Sequence, residues 1–147
     1  MNPTLPNEIY SGLWKEGHVQ GIAVDQARGF VYFSCTTILL KTDLAGNPLG
    51  SVENLAGHLG CITYDAADNL IYGSLELKHD AIGAGIINRT GWDPSKEDSF
   101  YLVCFDLDKI DRMGMDADKD SVMRAVYLQD VVDDYLATDE VSGQKHR

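Results

Sequence analysis

"GHVQGIAVDQARGFVYFS" occupies residues 17–34, and "GHLGCITYDAADNLIYGS" occupies residues 57–74. Aligned without a gap, Gly17 meets Gly57, His18 meets His58 and Ile22 meets Ile62. Asp25 then meets Asp65, Ala27 meets Ala67, Tyr32 meets Tyr72 and Ser34 meets Ser74. That is seven identities in eighteen positions, and a repeat of this period points to a solenoid, a propeller or an array. "GIAVD" and "CITYD" are short β-prone runs closed by an aspartate. "QARG" and "AADN" are turn formers, with Gly29 and Asn69 where a positive φ is expected. "FVYFSC" and "LIYGSLEL" are aromatic and β-branched, as strands prefer. "ILLKTDL" reads as a third strand, "AGNP" as a turn and "LGSVENL" as a fourth. No run in this region has the length and 3.6 period of a helix. The expected fold is all-β, with four-stranded antiparallel sheets.

"GIAVDQARGFVYFS" resembles the first two strands of a blade in NHL-type and gluconolactonase-like six-bladed β-propellers, over about residues 17–78. The resemblance implies a propeller blade at 17–56, after a lead-in strand or closing segment at 1–16. A second blade is implied at 57–130, interrupted by an insertion at 79–99. Its third strand is expected at 100–107 ("FYLVCFDL") and its fourth at 122–130 ("VMRAVYLQD"). Residues 108–121 are expected as an acidic loop or short helical turn. Residues 131–147 are expected as a polar tail or the start of a further blade. Two blades make an incomplete ring. The expectation is therefore an N-terminal fragment of a larger propeller, with missing blades or self-association covering its exposed sheet edges. The alternatives are a ring closed by oligomerisation and a free-standing two-sheet domain.

The formal net charge of −11 argues against nucleic acid and anionic membrane as partners, since both would repel the chain. Cys35, Cys61 and Cys104 form no CxxC pair, so they are expected as buried apolar side chains in a reducing compartment. Residues 1–17 have neither a basic start nor an apolar signal-length run. No stretch approaches the about 20 apolar residues of a membrane helix. A cytoplasmic protein without a cofactor is expected.

Candidate ligand-binding residues come from the blade logic. His18 and His58 precede the innermost strand of consecutive repeats, near the channel mouth. They are placed either to bind a metal or an anionic substrate, or to hold an inter-blade turn. Glu76, Lys78, His79 and Asp80 follow the second strand on the same face, beside an insertion that suits a lid. Otherwise they form a solvated charged turn. In gluconolactonase-like propellers a glutamate in the first blade binds a divalent metal. Gln20 stands at that position here, and a neutral amide is a poor substitute. Asp116, Asp118 and Asp120 have the spacing of a calcium loop, but Ser121 replaces the glycine and Tyr127 the bidentate glutamate. An acidic hairpin loop is the expectation there. "GAG" at 83–85 lacks a dinucleotide-binding fingerprint, and "NRT" at 88–90 is a bare sequon. Tyr32, Phe33, Tyr64, Tyr72, Phe100, Tyr101 and Phe105 fall at strand spacing and are expected in the core. The functional expectation is a non-catalytic module binding a small molecule or protein on the channel face. The alternative is part of a hydrolase or lyase of the lactonase or strictosidine-synthase kind.

Overall fold

The computed structural model describes residues 3–15, 17–91 and 98–136. Each repeat folds as an antiparallel meander. The first comprises β1 (Val19–Asp25), β2 (Phe30–Cys35), β3 (Ile38–Asp43) and β4 (Pro48–Glu53). The second starts with β5 (His58–Asp65) and β6 (Leu70–Leu77). It continues after α1 (Ala81–Thr90) with β7 (Ser99–Asp106). Then come β8 (Met115–Asp116), β9 (Met123–Tyr127) and α2 (Gln129–Leu136). The sheets have the orders β1-β2-β3-β4-β8 and β5-β6-β7-β9, and neither is closed. The protein is thus mostly β, with two antiparallel sheets, as the repeat predicts.

The turns form for the reasons read in the sequence. Asp25 Oδ1 accepts from the Arg28 backbone N–H at 3.1 Å. Gly29 and Asn69 occupy the left-handed region, with φ of 75° and 55°. Asp65 Oδ1 likewise accepts from Ala67 N–H at 2.8 Å. β1 and β5 each carry a register irregularity at matching positions, between Val19 and Gly21 and between Leu59 and Ile62.

Alternation sorts the side chains. Ala23, Tyr32, Leu39 and Val52 from the first sheet meet Leu59, Ile71, Leu75, Val103 and Phe105 from the second in the main core. The opposite face of the first sheet holds Val31, Phe33 and Leu40. Ile9 and Trp14 from the lead-in pack against it, together with Val19, Val24 and Leu44.

Three segments differ from the sequence expectation. The insertion contains a helix, α1, where only turn formers and no period are legible. Within the acidic stretch, Met115–Asp116 leaves the second sheet and pairs in parallel with Val52–Glu53 at the edge of the first. Buried Met115 and Ala117 drive that crossing. Ser51 N–H to Arg112 O (3.0 Å) and Ala117 N–H to Glu53 O (3.1 Å) fasten it. The tail begins as α2, and the expected strand at 122–130 shortens to Met123–Tyr127. The rest of the tail, 137–147, lies outside the described residues, as does part of the insertion, 92–97.

The cysteines also depart from expectation. None of the three is in a disulfide, but only Cys35 is buried; Cys104 is half-buried and Cys61 is exposed. Among the aromatics, Tyr32, Phe33 and Phe105 are core residues, whereas Tyr64, Tyr72, Phe100 and Tyr101 are half-buried. No helix among the described residues is long and apolar enough to cross a membrane.

A polar clasp closes one end of the inter-sheet contact. Buried Asp25 has Oδ2 3.6 Å from Arg28 Nε. The Arg28 guanidinium reaches across to Asn69 Oδ1 in the second sheet. Asn69 Nδ2 in turn donates to Asp108 Oδ1 at 2.7 Å. Burial, then the Asp25 charge, pushes the Tyr32 phenol well above its ordinary pKa. Asp25 and Asn69 are buried while Arg28 and Asp108 reach solvent, so losing the partner at Asn69 is costly chiefly on the buried side of the clasp. Replacing Asn69 with Ala is expected to destabilise the protein by about 2 kcal/mol in urea unfolding. Asn69→Gly, which tolerates the positive φ, should recover only the backbone part of that loss.

Candidate functional site

Among the described residues, a concavity lies at the end of the second sheet where β5 begins. His58 opens β5 and pairs in register with Glu76 on β6, which pairs with Phe100 on β7. These three residues therefore cross the sheet in one row. An open groove of about 250 Å³ runs over them. Besides the row, its walls include Cys61, Ser74, Tyr101 and Leu128. Tyr101 is held by stacking on Tyr127, with ring centroids 5.0 Å apart. Leu128 is held by its N–H to Phe100 O at 2.9 Å.

A second recess of about 160 Å³ adjoins the first and shares His58 and Glu76. It is completed by Lys78, Asp80 and the first turns of α1, through Ile82, Gly83 and Ile86. Lys78 Nζ lies 3.5 Å from Glu76 Oε2 and 6.0 Å from the Phe100 ring centre.

α1 is positioned by its ends. Asp80 is its N-cap, and Oδ1 accepts from the N–H groups of Ile82 and Gly83, both at 2.9 Å. Those bonds, that from Gly83 first, hold the Asp80 carboxyl below its ordinary pKa. Gly91 takes the left-handed conformation at the C-cap and donates to Ile87 O at 2.8 Å. Gly83 is required where it stands, because a β-carbon there would run into the Lys78 carbonyl. Buried Ile86 seats the helix, and Arg89 Nη1 reaches Thr37 Oγ1 in the first sheet at 3.2 Å.

Of the sequence-derived candidates, His58, Glu76, Lys78 and Asp80 share this recess. Asp80 spends one carboxylate oxygen on the cap. His18 and Gln20 are bonded to one another, the Gln20 amide donating to His18 Nε2 at 2.7 Å, and they do not line either cavity. His79 points to Asp98, which accepts from its backbone N–H at 2.9 Å and lies 3.6 Å from its Nδ1. Cys61, Phe100 and Tyr101, expected in the core, and Leu128 line the groove without having been site candidates. The register that aligns Phe100 with Glu76 spans the insertion and leaves no local signal.

The aspartates at 116–120 serve the loop itself. Asp116 accepts from Asn54 Nδ2 at 2.9 Å and from the N–H groups of Asp118 and Lys119. Asp120 accepts from Asp116 N–H at 2.7 Å and from Arg112 at 2.8 Å. Among the described residues no group of three or more His, Cys, Asp or Glu is arranged to hold a metal.

Comparison with family models, with curated proteins and with solved structures finds no match for this chain.

The bond from Asn54, with those from the loop N–H groups, lowers the Asp116 pKa to about 2. A carboxyl depressed in the folded state stabilises the fold above its unfolded pKa, and that contribution is lost as pH falls through the folded value. The contribution of Asp116 is thus complete above about pH 4 and disappears toward pH 2. Asp116→Asn should lower the melting temperature at neutral pH and flatten its dependence on pH between 4 and 2, read by circular dichroism.

Proposed function

We propose that this chain is a non-catalytic binding module made of blade-like sheets of a β-propeller, with its ligand site in the groove around His58 and Glu76. The observation that carries this reading is the row His58–Glu76–Phe100, which joins polar and aromatic groups on adjacent strands of a rigid sheet. Such a mixture suits a small molecule with an aromatic part and a hydrogen-bonding or charged group, or a protein side chain of that kind. Phe100 and Tyr101 offer ring contacts. His58, Glu76 and Lys78 offer a donor, an acceptor and a cation within one recess. α1 forms one wall, and its anchoring through Ile86 and Arg89 makes the site largely preformed.

Nothing in the geometry favours a lactonase or strictosidine-synthase-like activity over binding. Gln20, at the position of the metal-binding glutamate in gluconolactonase-like propellers, is engaged with His18.

The test is an NMR screen of the full chain against small aromatic carboxylates and aromatic amines. Signals of His58, Cys61, Glu76 and Phe100 should move together for at least one class. Glu76→Gln or Lys78→Met should weaken that binding about tenfold, as loss of a charged hydrogen bond does. A screen in which no compound shifts these signals would sink the reading.

A further inference from the structure

The two sheets meet through one face of the first and the opposite face of the second. In the first sheet, Tyr32 is 1% exposed and Ser34 is fully buried, and both face the neighbour. Ser34 Oγ donates to Gly60 O of β5 at 2.6 Å. Gly21, opposite Ser34, brings the backbones close: a β-carbon there would lie 3.0 Å from Ile62 N and 3.1 Å from Gly60 O. On the receiving side, Ile62 packs against the main core.

The repeat predicts where the same contact recurs. Tyr72 and Ser74 are the counterparts of Tyr32 and Ser34, but they lie on the outer face of the second sheet, half-buried and exposed respectively. Leu102 pairs with Ser74 and Val126 pairs with Leu102 on that face, and both are exposed. The receiving half recurs too. Ile22 is the counterpart of Ile62, yet it is 57% exposed. It pairs with Phe33 on the outer face of the first sheet. Each chain therefore carries counterparts of both halves of the contact that joins its own sheets: the Tyr72–Ser74 face is open, and on β1 Ile22 is open beside Val31 and Phe33, which Ile9 and Trp14 of the lead-in already cover.

We infer that the outer face of β5 and β6 binds β1 of a second copy of this chain, head to tail, repeating the internal contact. Ser74 then donates to the second copy's Gln20 carbonyl as Ser34 does to Gly60, and the second copy's Ile22 is covered as Ile62 is. The contact is heterologous, so it propagates into a ring or a filament according to its rotation. Ser74 and Cys61 also line the groove, so the second copy lies over one wall of it and brings its own His18 and Gln20 toward His58. Two features weaken it. Cys61 stands where Gly21 stands in the internal contact, so its β-carbon crowds the approaching strand. The net charge of −11 on each copy adds repulsion that salt screens.

The experiment is analytical ultracentrifugation of the full chain over a wide concentration range, at low and high salt. The wild type should associate reversibly, and more strongly at high salt. Cys61→Gly should tighten association about tenfold, as relief of overpacking does. Ile22→Lys, a change at an exposed position, should abolish it while leaving the circular dichroism spectrum and melting temperature unchanged. A Cys61→Gly chain that stays monomeric at every concentration overturns the inference and leaves the face to a different protein. An Ile22→Lys chain that associates like the wild type overturns it as well. Sedimentation reads mass and not ligand binding, so its outcome is separate from that of the groove.

Discussion

The structure depends on the close approach of β1 to β5. Two twisted sheets can share a core only if their innermost strands come near enough for the side chains behind them to interdigitate. Gly21 permits that approach by having no β-carbon at the nearest point. The Ser34 hydroxyl then satisfies itself on the Gly60 carbonyl, so a polar group is buried without an unpaired donor. Behind this seam lie Tyr32, Leu39, Leu59, Ile71, Val103 and Phe105. Their registry across the interface follows from where the two strands touch. The register irregularities near Gly21 and between Leu59 and Ile62 fall at the same place, and each bends its strand at the seam.

Two further devices keep the sheets from sliding along that seam. At one end, Arg28 crosses to Asn69, and the Asn69 amide donates a hydrogen bond to Asp108. Hydrogen-bond directions fix position where apolar contacts do not. On the far side, the chain after β7 runs back to the first sheet. Lys41 there lies over the Phe30 ring at 4.5 Å and donates to Ile110 O at 3.1 Å. Burial lowers the Lys41 pKa, which is consistent with an ammonium drawn out of water into this crossing. β8 then covers the outer edge of β4, an edge otherwise open to pairing. At the opposite end from the clasp, α1 spans the gap from Lys78 to Thr37. The groove at His58 is thus built at a junction that several elements hold in place.

The strands and their turns were legible because their determinants are local. Alternation set the faces of β2, β3 and β6, and the aspartate and glycine or asparagine of each tight turn sit where the backbone needs them. α1 was partly legible, since Asp80 and Gly91 are cap residues eleven positions apart around it. The glycines at 83 and 85 hid it, because they lower helix propensity and blur the apolar stripe. β8 was not legible at all. Two residues paired in parallel with a distant strand have no periodicity, and only the burial of Met115 and Ala117 selects them. The same holds for the groove. Glu76 and Lys78 can be found from the end of β6, but their alignment with Phe100 is a consequence of long-range register. Cys61 is exposed where its residue type predicts burial, because its position in β5 decides.

Identity within the repeat has two different physical sources. Asp25 and Asp65 each accept a backbone N–H of their own turn, and Ile22 and Ile62 each stand on a β-strand. A solitary hairpin would select such residues. Tyr32 and Ser34 have another role, since what buries them is the neighbouring sheet. Their counterparts Tyr72 and Ser74 keep the same side chains on a face that the second sheet does not cover by itself. Where the neighbour does impose a difference, the sequence shows it: Arg28 meets Asp68 in the alignment, and Gly29 meets Asn69, the residue recruited to hold Arg28. In the first sheet, Tyr32 and Ser34 are specified by what lies against them as much as by their own hairpin.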